Sequence, residues 1–193
     1  MADGWDLPSV DRSVELAGHT LRFEEPLWSL DAVAADSTDL DQTGEVVWEG
    51  ALLLAEYVGT LPLQGARCLE LGCGLGVVAM AAALAGAARV LATDRAQAVV
   101  RQAGRSAERN GVAMEVATLD WSDEMQVTEA AQRGPWDWVF GSEVLYPGNC
   151  AQGAHLSLAR ALHVLAARKC VFLVKDRRGE VELLRKELSL WHI

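Results

Sequence analysis

Glu143 and Tyr146 stand three residues apart in Gly141-Ser142-Glu143-Val144-Leu145-Tyr146, at the end of a strand predicted over Trp136 to Val144. A charge after a buried strand has little packing value. A carboxylate there can hold a cationic group, and a phenol three residues on can supply a wall and a hydroxyl. A strand-end acid facing water is the competing account of Glu143. Upstream, Leu69-Glu70-Leu71-Gly72-Cys73-Gly74-Leu75-Gly76 brings an acid and three glycines to another strand end, and Asp94 follows eighteen residues after Gly76. The glycines let the chain turn sharply and bring bare backbone near a ligand. An acid at the end of the next strand can accept hydrogen bonds from both hydroxyls of a ribose. The pattern is half of a nucleoside site, although an ordinary strand-to-helix turn also uses such glycines.

The elements that must position these residues read in order. Val14 to Phe23 alternates around a G-H-T segment and predicts a short hairpin. Glu24 to Gln42 is acidic and reads as loop. Glu49 to Val58 predicts a helix with Leu52, Leu53 and Tyr57 near one face. Pro62 and Gly65 mark the loop before a first sheet strand, Arg67 to Leu71. Val77 to Gly86 is a small-residue helix and Arg89 to Thr93 a second strand. Ala96 to Asn110 is a polar helix capped by Gly111. Val112 to Thr118 predicts a third strand, leading to Leu119-Asp120-Trp121. After Trp136 to Val144 come a helix over Asn149 to Ala167, a fifth strand over Cys170 to Val174, and an amphipathic helix over Gly179 to Leu190. Strands alternating with helices imply an α/β, doubly wound, mostly parallel sheet with helices on both faces. Ligands of such sheets bind at the carboxyl ends of the strands. Gly72 to Gly76, Asp94, Asp120-Trp121 and Ser142 to Tyr146 all fall there.

Composition narrows the function classes. The 193 residues are 51% hydrophobic and 23% charged, enough for a proper core. The division predicted is an N-terminal extension over residues 1–42 and one domain over 43–193. No apolar run approaches the ~20 residues of a membrane span, and the acidic N-terminus has no signal-peptide core. Cys68, Cys73, Cys150 and Cys170 form no C-x-x-C pair, so no metal site is expected and the cysteines read as reduced thiols of a cytoplasmic or nuclear protein. The net charge of −10 argues against nonspecific nucleic-acid binding and suits a basic protein partner. His19, His155, His163 and His192 are scattered and sit in no motif.

The glycine spacing separates two cofactors. A dinucleotide fingerprint needs G-x-G-x-x-G, and its third glycine position is Val77 here. E-L-G-C-G-x-G instead resembles the first motif of class I methyltransferases, which bind S-adenosylmethionine. Together with Thr43-Gly44-x-Val46-Val47-Trp48, Asp94, Leu119-Asp120-Trp121 and Glu143-x-x-Tyr146, the set resembles the seven-strand protein-lysine methyltransferases called methyltransferase family 16, from about Thr43 to Lys175. The resemblance implies a Rossmann-like methyltransferase sheet and a lysine-bearing protein as substrate. It places Trp48 near the cofactor, Glu70 toward its methionyl end, backbone of Gly72, Cys73 and Gly74 along it, and Asp94 on its ribose. Trp121 flanks the adenine, Asp120 meets its amino group, and Ser142 touches the cofactor beside the catalytic mouth. Glu143 and Tyr146 are the pair beside the incoming substrate.

The resemblance also implies two final strands for which this sequence has no residues, leaving the fifth strand as an exposed edge to be covered by the N-terminal segment or a partner. The absence of N-P-P-Y disfavours amide and nucleobase amino groups. Another protein side chain, a small molecule, or a noncatalytic interaction role are the alternatives on the same scaffold.

Overall fold

A computed structural model describes residues 9–16, 18–26 and 43–190. Two strands, β1 (Ser9–Leu16) and β2 (His19–Pro26), pair as an antiparallel hairpin turning at Gly18. It is longer than the predicted Val14 to Phe23. Residues 27–42, most of the predicted acidic loop, lie outside the described residues, as do residues 1–8 and 191–193.

The main sheet contains β3 (Arg67–Leu71), β4 (Arg89–Asp94), β5 (Glu115–Thr118), β6 (Trp138–Ser142) and β7 (Lys169–Leu173). All are parallel, in the spatial order β5-β4-β3-β6-β7. The chain winds outward from β3 through β5, then returns to the other side of β3 as β6. That reversal opens a crevice at the carboxyl ends of β3 and β6, between Leu71-Gly72 and Ser142-Glu143.

Helices cover both faces. On one lie α1 (Glu49–Gly59), α2 (Val77–Leu84) and α3 (Gln97–Asn110). On the other lie α4 (Glu124–Gln132), α6 (Ala154–Leu165) and α7 (Glu180–Leu190), with the short α5 (Pro147–Cys150) leading into α6. The alternation of β3 divides the core. Cys68 joins the cluster built by Leu54, Val58, Val78 and Met80. Leu69 and Leu71 join Val127, Leu158, Leu162 and Leu184. Glu70, between them, points to the α2 side and meets the Ala79 amide. Successive strand residues face opposite ways, so this partition follows from the pleat.

The hairpin buries Leu16, Leu21 and Phe23 in the first cluster and packs on α1 and α3. Polar ties help to fix it. The Glu25 carboxylate accepts the Val47 amide at 2.8 Å and Arg12 at 3.2 Å, and Asn110 Oδ1 accepts the Arg22 amide at 2.8 Å. The hairpin forms a sheet of its own and does not pair with β7, so the described part of the N-terminal segment does not cover that edge.

Several boundaries differ from the sequence reading. The buried face of α1 is Gly50, Leu54, Ala55 and Val58, while Leu53 and Tyr57 are about half exposed (53% and 52%). The helix packs over β7 and α2 on that face, with Leu54 and Val58 in the core and Gly50 where Glu143 and Leu173 come closest. Strand β5 begins at Glu115 because the Val112 amide closes the end of α3, donating to Ala107 O at 3.0 Å. The predicted helix over Asn149 to Ala167 is two helices, separated where Gly153 takes a positive φ of 86°. Strand β6 stops at Ser142 because Glu143 turns into left-handed backbone, φ 51°. Trp136, predicted within the strand, instead buries its ring and donates Nε1–H to Ala130 O at 3.0 Å.

Candidate active site

The glycine loop is built from backbone hydrogen bonds that a side chain would disturb. Gly76 N–H closes the turn onto Cys73 O at 2.8 Å, and Cys73 N–H donates to Thr93 O at 2.8 Å. Gly72, Gly74 and Gly76 have φ of 66°, 51° and 84°, in the region that favours glycine. Two of the glycines are also sites of close approach. A Cβ on Gly72 would lie 2.7 Å from Val144 Cγ1 and 3.8 Å from Trp121 Cζ3. A Cβ on Gly74 would lie 3.2 Å from the carbonyl oxygen of Gly44. Thus the Thr43–Glu45 turn sits over the glycine loop, and the segment after β6 sits beside it.

Asp94, at the end of β4, ties the loop from the second strand. Its Oδ2 accepts the Gly74 amide at 3.2 Å and its Oδ1 the Ala96 amide at 3.2 Å. Burial raises its pKa above the usual aspartate value, against the pull of those amides. Glu70 is 2% exposed, and its Oε2 accepts the Ala79 amide at 2.8 Å near the start of α2. Its carboxyl is held well above the usual range by burial, against the Ala79 amide, with the Asp94 charge adding to the rise. Burial, reinforced by Asp94 and Glu70, also pushes the Cys73 thiol up, so Cys73 serves as a turn residue, not as a thiolate nucleophile.

At the end of β5, Asp120 Oδ1 accepts the Ser122 amide at 2.8 Å and its hydroxyl at 2.7 Å. Gln126 Oε1 accepts the Asp120 amide at 2.9 Å. These bonds and the Asp123 cap of α4 fix the turn that carries the half-buried Trp121 toward Gly72. Trp48 precedes α1, and its carbonyl accepts the Ala51 and Leu52 amides. It is half-buried.

The fourth group follows β6. Ser142 Oγ is buried without a hydrogen-bond partner. Glu143 donates its amide to Leu173 O at 2.8 Å, and its side chain, 15% exposed, pairs with Arg177 at 3.4 Å. Gly50 of α1 lies close by, since a Cβ there would stand 2.7 Å from Glu143 Cγ. Tyr146 begins α5, donating its amide to Asn149 Oδ1 at 3.0 Å, while Asn149 Nδ2 donates to Val144 O at 2.8 Å.

The crevice suits a nucleoside with a charged tail. A buried hydroxyl without a partner, Ser142 Oγ, is a polar group left for a ligand. The bare glycine backbone, the Asp94 carboxylate and the Trp121 ring add an approach surface, an acceptor and an aromatic wall. The residues therefore fit S-adenosylmethionine. The sequence did not reveal Gly44, Gly50 or Arg177 as neighbours of this site. Gly44 lay within the T-G-x-x-x-W segment, but its contacts with Gly74 and Val99 come from elements distant in the chain.

The fold and crevice define a class I methyltransferase with S-adenosylmethionine as its cofactor. The profile of a family described as lysine methyltransferase matches residues 31–186, and the chain belongs to that family. It is 29% identical over 182 residues to protein N-lysine methyltransferase METTL21A of Danio rerio, covering 89% of this chain and 76% of that one. The Mus musculus protein of the same name is 31% identical over 168 residues, covering 83% and 68%. Among solved structures, the T. thermophilus 16S rRNA N2 G1207 methyltransferase, in complex with AdoMet and guanosine, superposes with a TM-score of 0.61. That match has 20% identity and covers 93% of this chain and 45% of that one, a likeness of fold. Among the described residues no helix is long and apolar enough to cross a membrane.

Proposed function

We propose that this chain methylates a lysine side chain of a protein substrate, with Glu143 and Tyr146 beside the incoming amine. The observation that carries the reading is the mostly buried Glu143 carboxylate, turned out of β6 at the sheet's reversal point beside the glycine loop. S-adenosylmethionine, when bound, supplies an electrophilic methyl group that passes to the amine nitrogen as the carbon–sulfur bond breaks. Asp94 accepts the ribose hydroxyls. Trp121 stacks against the adenine, and Asp120 accepts from its amino group. Glu70, with the backbone of Gly72, Cys73 and Gly74, lines the methionyl end, while Trp48 and Ser142 close the cofactor side of the mouth.

The amine must lose its proton to attack. At a pH of about 7.4, deprotonating a lysine of pKa about 10.4 costs roughly 4 kcal/mol. Glu143 favours the charged form, so its role is to capture and orient the side chain. Tyr146 supplies a wall and a hydroxyl. Alignment and exclusion of water then lower the barrier. The family, the acidic net charge and the relatives' protein N-lysine activity support a basic protein partner. The free cysteines support a reducing, cytoplasmic or nuclear, compartment.

Calorimetric titration with S-adenosylmethionine should give saturable binding that is lost in Asp94→Ala. Tritiated S-adenosylmethionine with a protein array should then label lysine. Glu143→Ala should lose that label and keep cofactor binding. Label on a soluble small molecule, or equal turnover by the variant, would overturn the assignment.

A further inference from the structure

Glu143 does not stand alone. Arg177, on the turn between β7 and α7, places its guanidinium 3.4 Å from Glu143 Oε1. The turn that delivers it is held from below. The Glu180 carboxylate, 1% exposed, accepts the amides of Arg177 at 2.8 Å and Arg178 at 2.9 Å, and Asp176 Oδ1 accepts the Gly179 amide at 2.8 Å. Arg177 also reaches Lys175 O at 3.4 Å. The elements against Glu143 present Gly50 from α1, the Leu173 carbonyl from β7 and Arg177 from the turn. Of these, Arg177 is the charged side chain. Glu143 is the more buried partner, 15% against 35% exposed, so the pair is less screened than a surface one.

We infer that Arg177 is a positioning residue that compensates the charge of Glu143, so that the carboxylate orients the substrate lysine without trapping it as the unreactive ammonium. The inference rests on the reading of Glu143 as the lysine-receiving carboxylate. A bare carboxylate beside an amine raises the amine's pKa, and a fixed cation beside that carboxylate offsets the rise. The Glu143–Arg177 pair is neutral overall, yet it keeps a carboxylate oxygen as a hydrogen-bond acceptor. The receiving site thereby binds the amine by geometry more than by charge. A lysine held this way loses its proton at a lower pH, which leaves more of it competent for transfer near neutrality.

The test uses the full chain, tritiated S-adenosylmethionine and the acceptor lysine found on a protein array. Arg177→Gln should move the acidic limb of the kcat–pH profile up by about one unit. Near neutrality kcat should fall about tenfold, with KM for the acceptor equal or lower. Arg177→Lys keeps the charge and should restore the wild-type limb. All three proteins should bind S-adenosylmethionine equally in calorimetry. Independently of turnover, the Arg177 side-chain 15N resonance should shift in Glu143→Gln. A wild-type pH profile in Arg177→Gln, a rise in its kcat, or an unmoved Arg177 resonance overturns the inference and leaves the lysine reading standing. Label on no lysine from either protein, with cofactor bound, overturns the lysine reading and the inference with it.

Discussion

Gly44 and Gly74 meet backbone to backbone: the Gly44 carbonyl oxygen lies 3.2 Å from where a Cβ on Gly74 would stand. One glycine belongs to the turn before α1 and the other to the loop after β3. Their contact closes the segment leading to Trp48 over the cofactor loop. Gly44 is tight on its other side as well, since a Cβ there would lie 2.8 Å from Val99 of α3. The site is therefore roofed by a segment that a single methyl group would lift.

Gly74→Ala should weaken S-adenosylmethionine binding by tenfold or more in calorimetry. The added methyl meets backbone, which cannot rotate away, and the residue must also hold a φ of 51° that costs an alanine ~1 kcal/mol or more. Unchanged affinity would mean that the roof does not bear on the cofactor.

Gly50→Ala should separate the two halves of the site. Its Cβ would lie 2.7 Å from Glu143 Cγ and 3.1 Å from Leu173 Cδ2, so it pushes on the substrate carboxylate and not on the glycine loop. Expected are a kcat reduced about tenfold and a cofactor Kd within about twofold of wild type, read by labelled methyl transfer and calorimetry.

Glu70→Gln should trade function for stability. Burial holds the Glu70 carboxyl above the ordinary range, so the folded state keeps that proton more tightly than the unfolded chain does. Stability attributable to this group therefore falls as pH rises above the ordinary glutamate value. The amide removes the loss and still accepts from Ala79. Near neutral pH the variant should melt about 2–4 °C higher, the shift that ~1 kcal/mol produces in a chain of this size. The two melting curves should converge toward acid pH, and S-adenosylmethionine affinity should fall.

Glu180→Gln should do the reverse. Burial raises the Glu180 pKa, but the amides of Arg178, Glu180 and Arg177 outweigh it and hold the group at about 2. A depressed carboxylate contributes stability that is full above the unfolded value and is lost as pH falls toward about 2. At neutral pH the variant should lose about 1–3 kcal/mol, the worth of hydrogen bonds to a charged group. The difference from wild type should shrink through the acid range in a pH series of thermal melts. Release of the Lys175–Gly179 turn should also weaken the Arg177–Glu143 pair.

The sequence alone set out the alternation of strands and helices, the glycine loop, and the acids and aromatics at strand ends. Those signals are local. Glycine is needed where backbone turns left-handed, apolar runs of five or six residues make buried strands, and Gly111 ends α3 because it follows the last periodic residue. The limits of the elements were less legible, since they depend on which amide is already taken. Val112 spends its amide on Ala107, and Glu143 leaves β6 by a positive φ. Neither shows in an alternation of residue types. The pattern on α1 points to Leu53 and Tyr57, but the buried face is Gly50, Leu54, Ala55 and Val58, and only the packed structure shows that Glu143 and Leu173 approach Gly50 too closely for a side chain there.

What only the tertiary structure decided is the company each site residue keeps. The reversal of strand order brings Gly72 of β3's loop against Val144 after β6, across seventy-odd residues of chain. It sets Gly44 over Gly74 and Arg177 against Glu143. Such pairings are made by the path of the backbone through three dimensions, and residue type carries no record of them. The sequence fixes which groups can bind a nucleoside and hold an amine. The fold sets the charge and space around each group, and these decide what the group can do.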